Sequence, residues 1–133
     1  MDAGSLPIQQ FKPIRVLLAD LPGIYGEVLH AVLAREPDMA VVGQVEGNLD
    51  ILAASRHNTD VVILGVSQTD GPPGICSHLL SESPALKILT VSLHNNNHGI
   101  GYWLNIQRYQ AGPLQTGNLP YHIRYLFQLA PTV

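Results

Sequence analysis

The chain has 133 residues, of which 46% are hydrophobic and 13% charged, with a net charge of −3. This length supports one domain with its own core, and the hydrophobic content excludes a disordered chain. The seven Lys and Arg residues are scattered and no apolar stretch can cross a bilayer, so we expect no binding to nucleic acid and no membrane contact.

Strand and helix patterns alternate along the first half of the chain. After an N-terminal tail over residues 1–13, the run IRVLLA at 14–19 predicts a buried strand. Apolar residues at helical spacing in GIYGEVLHAVLARE predict a helix that Pro37 closes. A strand at 40–45 and a helix at 48–57 with Asn48 as its cap follow.

The strand DVVILGV at 60–66 lacks alternation, which indicates that both of its faces are covered. A helix at 75–83 and a buried strand at 87–92 come next. This order predicts an α/β fold, a doubly wound five-stranded parallel sheet with helices on both faces.

The pattern weakens after Ser92. Gly99 and Gly101 interrupt the segment where a fourth helix belongs, so we expect that helix to begin late. A weak fifth strand at 111–116 contains Pro113, which a sheet tolerates at its edge. A last helix at 118–130 has Asn118 as its cap and Pro120 in its first turn.

Several strings together resemble response-regulator receiver domains, particularly those of the family that carries a LuxR-type DNA-binding domain. The resemblance runs from Ile14 onward and rests on IRVLLAD at 14–20, LAREPDMAVVGQV at 33–45, DVVIL at 60–64 and PALKILTVS at 84–92. It implies the flavodoxin-like receiver fold over residues 14–133. We expect no output domain after this receiver-like part.

Receiver domains transfer a phosphoryl group to an aspartate at the end of the third strand, with Mg²⁺ held by an acidic pair after the first. In this chain, Gly65 stands at the phosphoacceptor position, and Asp20 followed by Leu21 stands at the position of the acidic pair. Receiver domains also use a hydroxyl residue and a lysine after the fourth and fifth strands. Ser92 matches the hydroxyl position, but no lysine follows Lys87. Without a nucleophile and with one carboxylate, the site predicts neither phosphorylation nor a metal.

The resemblance therefore predicts a degenerate receiver, a pseudo-receiver, with no catalytic residue and no cofactor. Its function would be signal transduction by protein contact, either dimerisation or docking. One alternative is a small-molecule sensor that uses the pocket between Asp20, Gly65 and Ser92, which the loss of two carboxylates would make roomier and less charged. A less favoured one is a phosphorylated receiver that uses another acid such as Asp70, whereas Asp60 begins its strand at the wrong end.

The last third of the chain has an unusual composition. No Asp or Glu follows Glu82, and six of the eight aromatic residues lie beyond Ser92. Aromatic residues with few acids are typical of interface cores. We expect a protein partner or a second copy to bind there, through a face that contains Tyr102, Trp103, Tyr109, Tyr121 and Tyr125.

Three other residues have simple interpretations. His94 and His98 are four apart, but the Asn run between them and Gly99 favour a loop over a metal-binding helix. Cys76, the single cysteine, has no motif around it and is expected to pack as a small hydrophobe. The N-terminus lacks the features of a signal peptide, so we expect a cytoplasmic protein.

Overall fold

The computed structural model describes residues 12–67 and 73–129, apart from the side chain of residue 105. The elements in the first part are β1 (Ile14–Ala19), α1 (Gly23–Ala34), β2 (Met39–Val45), α2 (Asn48–Ser55) and β3 (Val61–Val66). Those in the second part are α3 (Gly74–Glu82), β4 (Lys87–Ser92), β5 (His98–Trp103), a 3₁₀ helix (Leu104–Ile106), β6 (Gln107–Pro113) and α4 (Leu119–Gln128).

One mixed sheet of six strands, in the order β2-β1-β3-β4-β5-β6, forms the centre of the described structure. The pairs among β1, β2, β3 and β4 are parallel, as the alternating strands and helices predict. The pairs β4 with β5 and β5 with β6 are antiparallel. The α/β class and the doubly wound parallel part are confirmed, but the prediction of five parallel strands is wrong.

The error comes from the segment after Ser92, which forms a β-hairpin where we predicted a helix. A turn over residues 93–97 reverses the chain directly after β4, and Asn96 and Asn97 have φ values of 54° and 53°. Asn enters this left-handed region more easily than most residues, so the Asn run permits a tight turn. The chain returns next to β4 without a crossover helix.

Gly99 and Gly101 belong to strand β5 for a packing reason. A Cβ at Gly99 would lie 2.6 Å from Leu114 Cδ1, and one at Gly101 would lie 2.9 Å from Leu126 Cδ1. The two glycines thus let these leucines pack directly on the strand backbone. On the other face of β5, Ile100 and Tyr102 are buried, so HGIGYW alternates with the period of a strand.

Helices cover both faces of the sheet and enclose two hydrophobic clusters. One cluster contains residues of α1 and α4, including Leu29, Leu33 and Ile123. The other contains residues of α2 and α3, including Ile51 and Leu79. Among the described helices, each is too short or too polar to span a membrane.

The ends of three elements differ in detail from the predictions. Helix α2 already includes Asn48, and Gly47 with a φ of 85° is its cap, so the prediction of an Asn48 cap is wrong. Asn118 is the N-cap residue of α4, as predicted, but its side chain makes no capping bond, because Oδ1 accepts the Gln115 N–H and Nδ2 donates to the Pro113 carbonyl. The last strand, β6, covers Gln107–Pro113 and not the predicted 111–116, but it lies at the sheet edge, where we expected Pro113 to be tolerated. Pro120 lies in the first turn of α4, as predicted.

Candidate functional site

The candidate site lies at the carboxyl ends of β1 and β3, which are neighbours in the sheet. Asp20 follows β1 directly and has a φ of 53°, a conformation that Asp adopts more readily than most residues. Its N–H donates to the Val45 carbonyl at 3.0 Å, and its Oδ1 accepts the Gly47 N–H at 2.9 Å. Asp20 therefore ties the end of β1 to the loop between β2 and α2.

Gly65 lies against the backbone of Asp20. A Cβ added to Gly65 would overlap the Asp20 carbonyl oxygen and would lie 3.0 Å from Leu21 Cδ2. Real Cβ atoms essentially never come so close to another heavy atom. The loop after β1 therefore occupies the space where a side chain at position 65 would begin.

Leu21 is a core residue and does not face a site. Its side chain is 2% exposed and packs in the cluster beneath α1 and α4. A carboxylate at this position would be buried among aliphatic side chains, where its charge is strongly disfavoured. Leu21 thus stabilises the turn between β1 and α1 and offers no ligand to a metal.

Ser92 lies at the end of β4, opposite Val66 of β3 in the sheet. It is fully buried, and its hydroxyl has no hydrogen-bond partner among the described residues. The lysine that precedes it, Lys87, lies at the opposite end of β4 and donates from Nζ to the Phe127 carbonyl at 3.2 Å. Burial lowers the pKa of Lys87, against the opposing effect of Asp60.

A cleft of about 370 Å³ opens beside Asp20 and Gly65, between the first turns of α2 and α3. Its walls include Asn48, His78 and Ile75. Neither Leu21 nor Ser92 lines it. Of the four predicted pocket residues, the structure therefore brings only Asp20 and Gly65 to one cleft, and it adds Asn48 and His78, which the sequence analysis missed.

The other acids and the cysteine lie elsewhere. Asp60 precedes β3 at the far end of the sheet, where it accepts hydrogen bonds from the Arg15 backbone N–H and guanidinium. Burial raises the pKa of Asp60, but these bonds and the Arg15 charge outweigh it and leave the pKa lowered.

Burial raises the pKa of Cys76 to about 12, so its thiol is inert at neutral pH. Asp70 lies outside the described residues.

The histidine pair forms no metal site within the described ranges. His94 lies in the turn before β5, as the Asn run predicts. His98 begins β5 and bonds through Nε2 to Gln110 Oε1 at 2.7 Å. The pair is thus divided between a turn and a strand, and His98 fixes the hairpin.

A cluster of aromatic rings lies where α4 packs on edge strand β6. The Tyr109 hydroxyl and His122 Nδ1 are hydrogen-bonded to each other, and burial lowers the pKa of His122. The Tyr109 and Tyr125 rings are 4.7 Å apart, and Tyr121 stacks on Tyr125 at 6.4 Å. Tyr121 is 61% exposed and Tyr125 39%.

The predicted partner face is therefore smaller than the sequence analysis expected. Tyr109, Tyr121 and Tyr125 lie together, and His122, which we did not predict, completes the cluster. Tyr102 does not belong to this face, because it is 1% exposed in the core beneath α2 and α3. Trp103 is half-buried on the opposite side of β5, against the cluster of α1 and α4.

Two curated proteins are similar to this chain. One is protein-glutamate methylesterase/protein-glutamine glutaminase 3 of Myxococcus xanthus (strain DK1622), 35% identical over 107 residues, which are 78% of this chain and 29% of that protein. The other is protein-glutamate methylesterase/protein-glutamine glutaminase 2 of Methanospirillum hungatei JF-1, 32% identical over 80 residues, which are 59% of this chain and 23% of that protein. The chain thus spans less than a third of each relative.

No family model and no solved structure matches the chain. Methylesterases of this chemotaxis type carry a receiver domain in their N-terminal part, so the similarity fits a receiver domain and signal transduction. Neither relative bears the name of a LuxR-type regulator. The comparisons therefore agree with the receiver resemblance and give no support to the LuxR type.

Proposed function

We propose that this chain is a receiver-type signalling module that acts by protein contact and does not use phosphorylation. The observation that carries the proposal is the packing of the Asp20 backbone against Gly65. The phosphoacceptor position that the resemblance implies has no side chain, and the space for one is filled. Phosphoryl transfer to this position has no nucleophile.

The metal that assists such a transfer has few ligands here. A Mg²⁺ ion prefers an octahedron of oxygens, commonly with one or two carboxylates. At this end of the sheet Asp20 contributes the only acid among the described cleft residues, and one of its oxygens already accepts the Gly47 N–H. Leu21 is turned into the core. The site thus supports neither half of the phosphorylation chemistry.

The activity named for the two relatives belongs to those proteins, and we propose a non-enzymatic role for this chain. A receiver-type module that is not phosphorylated can still act by binding another protein. The exposed aromatic rings of Tyr121 and Tyr125 favour this role, since exposed aromatic residues are enriched in protein interfaces.

The test is incubation with acetyl phosphate and Mg²⁺, followed by intact-mass measurement, beside a conventional receiver domain as a positive control. We expect the control to gain a phosphoryl group and this chain to keep its mass. A phosphoryl adduct on this chain overturns the proposal. Peptide mapping of that adduct then identifies the acceptor, with Asp20 and Asp70 as the first residues to inspect.

A second candidate function is the binding of a small molecule in the cleft beside Asp20 and Gly65. The cleft volume of about 370 Å³ is within the range of ligand pockets. A thermal-shift screen of metabolites tests this function, since a ligand of the folded state raises the melting temperature.

A matched pair of variants locates any ligand found in this screen. Gly74 lines the cleft and has open space around its Cβ position, so a Cβ is accommodated there and Gly74→Gln adds a side chain at the cleft. Gly23 also follows a proline, begins a helix and has open space, so Gly23→Gln is the control. A ligand of the cleft loses its effect in the first variant alone, and an equal effect in both variants contradicts the cleft as its site.

A further inference from the structure

Strand β6 is an open edge of the sheet. It pairs with β5 on one side, and within residues 12–67 and 73–129 no strand pairs with its other side. An edge strand presents unpaired N–H and C=O groups that bind another extended strand readily. The receiver fold that we predicted has a helix before its last strand. The β-hairpin found there instead makes β6 the edge of the sheet, and the resemblance does not imply this edge.

A ridge of aromatic rings runs beside this edge, formed by the half-buried Tyr109 of β6 and by the exposed Tyr121 and Tyr125 of α4. Tyr125 contacts Tyr109, and Tyr121 lies one helical turn before Tyr125 on the same side of α4. The rings therefore lead from the edge strand to the exposed side of the helix. Aromatic side chains next to a strand edge add apolar area to the hydrogen bonds of the backbone.

The surface around the ridge carries little free charge. Arg124 of α4 is bound by Asp38 and Glu36. Lys87 donates to the Phe127 carbonyl, and its Nζ lies 5.8 Å from the centre of the Phe127 ring. No acid follows Glu82 in the sequence. A strongly acidic or basic partner would find few opposite charges here, whereas a neutral, aromatic surface fits a second copy of itself.

The register of a two-fold pair also avoids a clash between like charges on β6. Arg108 is the one charged residue of this strand. If the two strands pair antiparallel about Tyr109, in the regular part of β6 before the register shift at Ala111, Arg108 of each copy lies opposite Gln110 of the other. The two guanidinium groups are then separated, and each lies beside an uncharged side chain.

The other edge of the sheet, β2, is less suited to self-pairing. Asp38 precedes this strand and Glu46 follows it. Antiparallel pairing of two β2 strands about Val42 would place Asp38 of each copy opposite Glu46 of the other. Like charges directly opposite one another destabilise a pair of strands.

We propose that two copies of this chain associate through β6, as antiparallel edge strands that join the two sheets, with the Tyr121 and Tyr125 rings packed across the two-fold axis. The inference rests on the proposed function, because it names the partner of that contact as a second copy. Failure of the dimer proposal can be told apart from failure of the proposed function. A chain that stays monomeric and is not phosphorylated overturns the dimer, but it agrees with a phosphorylation-independent module that docks to another protein.

Sedimentation velocity over a wide concentration range, without a phosphodonor, measures the association. We expect a reversible dimer that Tyr121→Lys weakens about tenfold or more in Kd, since two new positive charges meet near the axis. Leu49→Lys is the matched control, because Leu49 is 83% exposed on α2 and lies on a different surface. A monomer at all concentrations, or equal weakening by both variants, overturns the proposal.

Hydrogen exchange measured at low and high protein concentration locates the contact. We expect amides of residues 107–112 to become protected as the dimer forms, whereas residues 39–45 of the opposite edge keep the same exchange rates. Protection of residues 39–45 instead, or a dimer with unchanged exchange at 107–112, overturns pairing through β6. The opposite edge serves as a control within the same sample.

Discussion

Gly65→Ala is the substitution that most directly tests the packing at the end of β3. The added Cβ would lie 3.0 Å from Leu21 Cδ2 and 3.2 Å from the Asp20 carbonyl carbon, in addition to its overlap with the carbonyl oxygen. Carbon atoms in contact are normally about 3.5–4.0 Å apart. The turn after β1 must therefore move by several tenths of an ångström, and part of it is backbone that cannot rotate away.

Overpacking of this kind costs about 1–3 kcal/mol in the free energy of unfolding. For a domain of this size, each kcal/mol lowers the melting temperature by roughly 4 °C, so we expect a decrease of about 4–12 °C. Urea unfolding followed by circular dichroism, with a parallel thermal melt, measures both quantities. The unfolding slope against urea should be unchanged, since the surface exposed on unfolding stays the same.

Gly74→Ala is the control for the same chemical change. Its Cβ position is open, and it begins helix α3, where Ala is at least as stable as Gly. We expect its stability to equal or exceed that of the original chain. If Gly65→Ala is as stable as Gly74→Ala, the end of β3 has room for a side chain, and the packing argument against phosphorylation is refuted.

Three further outcomes follow from the structure. Leu21→Asp should destabilise the fold by more than about 3 kcal/mol in urea unfolding, because it buries a charge, whereas Leu49→Asp on the surface should have little effect. Asp60 has a lowered pKa, so its bonds to Arg15 contribute stability above its unfolded pKa of about 4 that is lost as pH falls through the folded value. Asp60→Asn should accordingly flatten the fall in stability between about pH 5 and pH 2, and Asp50→Asn, an exposed acid on α2, should not. Cys76 should react with a thiol reagent at pH 8 only as fast as the chain unfolds, and rapid labelling of the native state would contradict its burial.

The sequence was sufficient for the first four strands and for the four helices that the structure describes. Unbroken aliphatic runs such as VVIL at 61–64 and apolar residues at helical spacing are local signals, and here the tertiary structure agrees with them. The absence of a side chain at the position that the receiver resemblance matches to the phosphoacceptor was also visible, because position 65 is Gly. The packing of Cys76 as a small buried side chain was expected from the absence of a motif around it.

The sequence did not determine the hairpin after Ser92. Gly99 and Gly101 indicate weak helix propensity, but only packing shows that they admit Leu114 and Leu126 against the strand backbone. The alternation in HGIGYW was the available signal, and a competing expectation of a fourth helix concealed it. Likewise, Tyr102 and Trp103 are adjacent in sequence, and only the sheet sends them to opposite faces.

At the candidate site, residue identity decided what chemistry is missing and tertiary structure decided what replaces it. The sequence suggested that the loss of two acids leaves a roomier pocket at Asp20, Gly65 and Ser92. In the fold, the turn after β1 fills the space beside Gly65, Leu21 joins the core, and Ser92 is buried away from the cleft. The contact between Asp20 and Gly65 joins segments that are distant in the sequence, and no local pattern encodes it, because close packing is a property of the assembled chain.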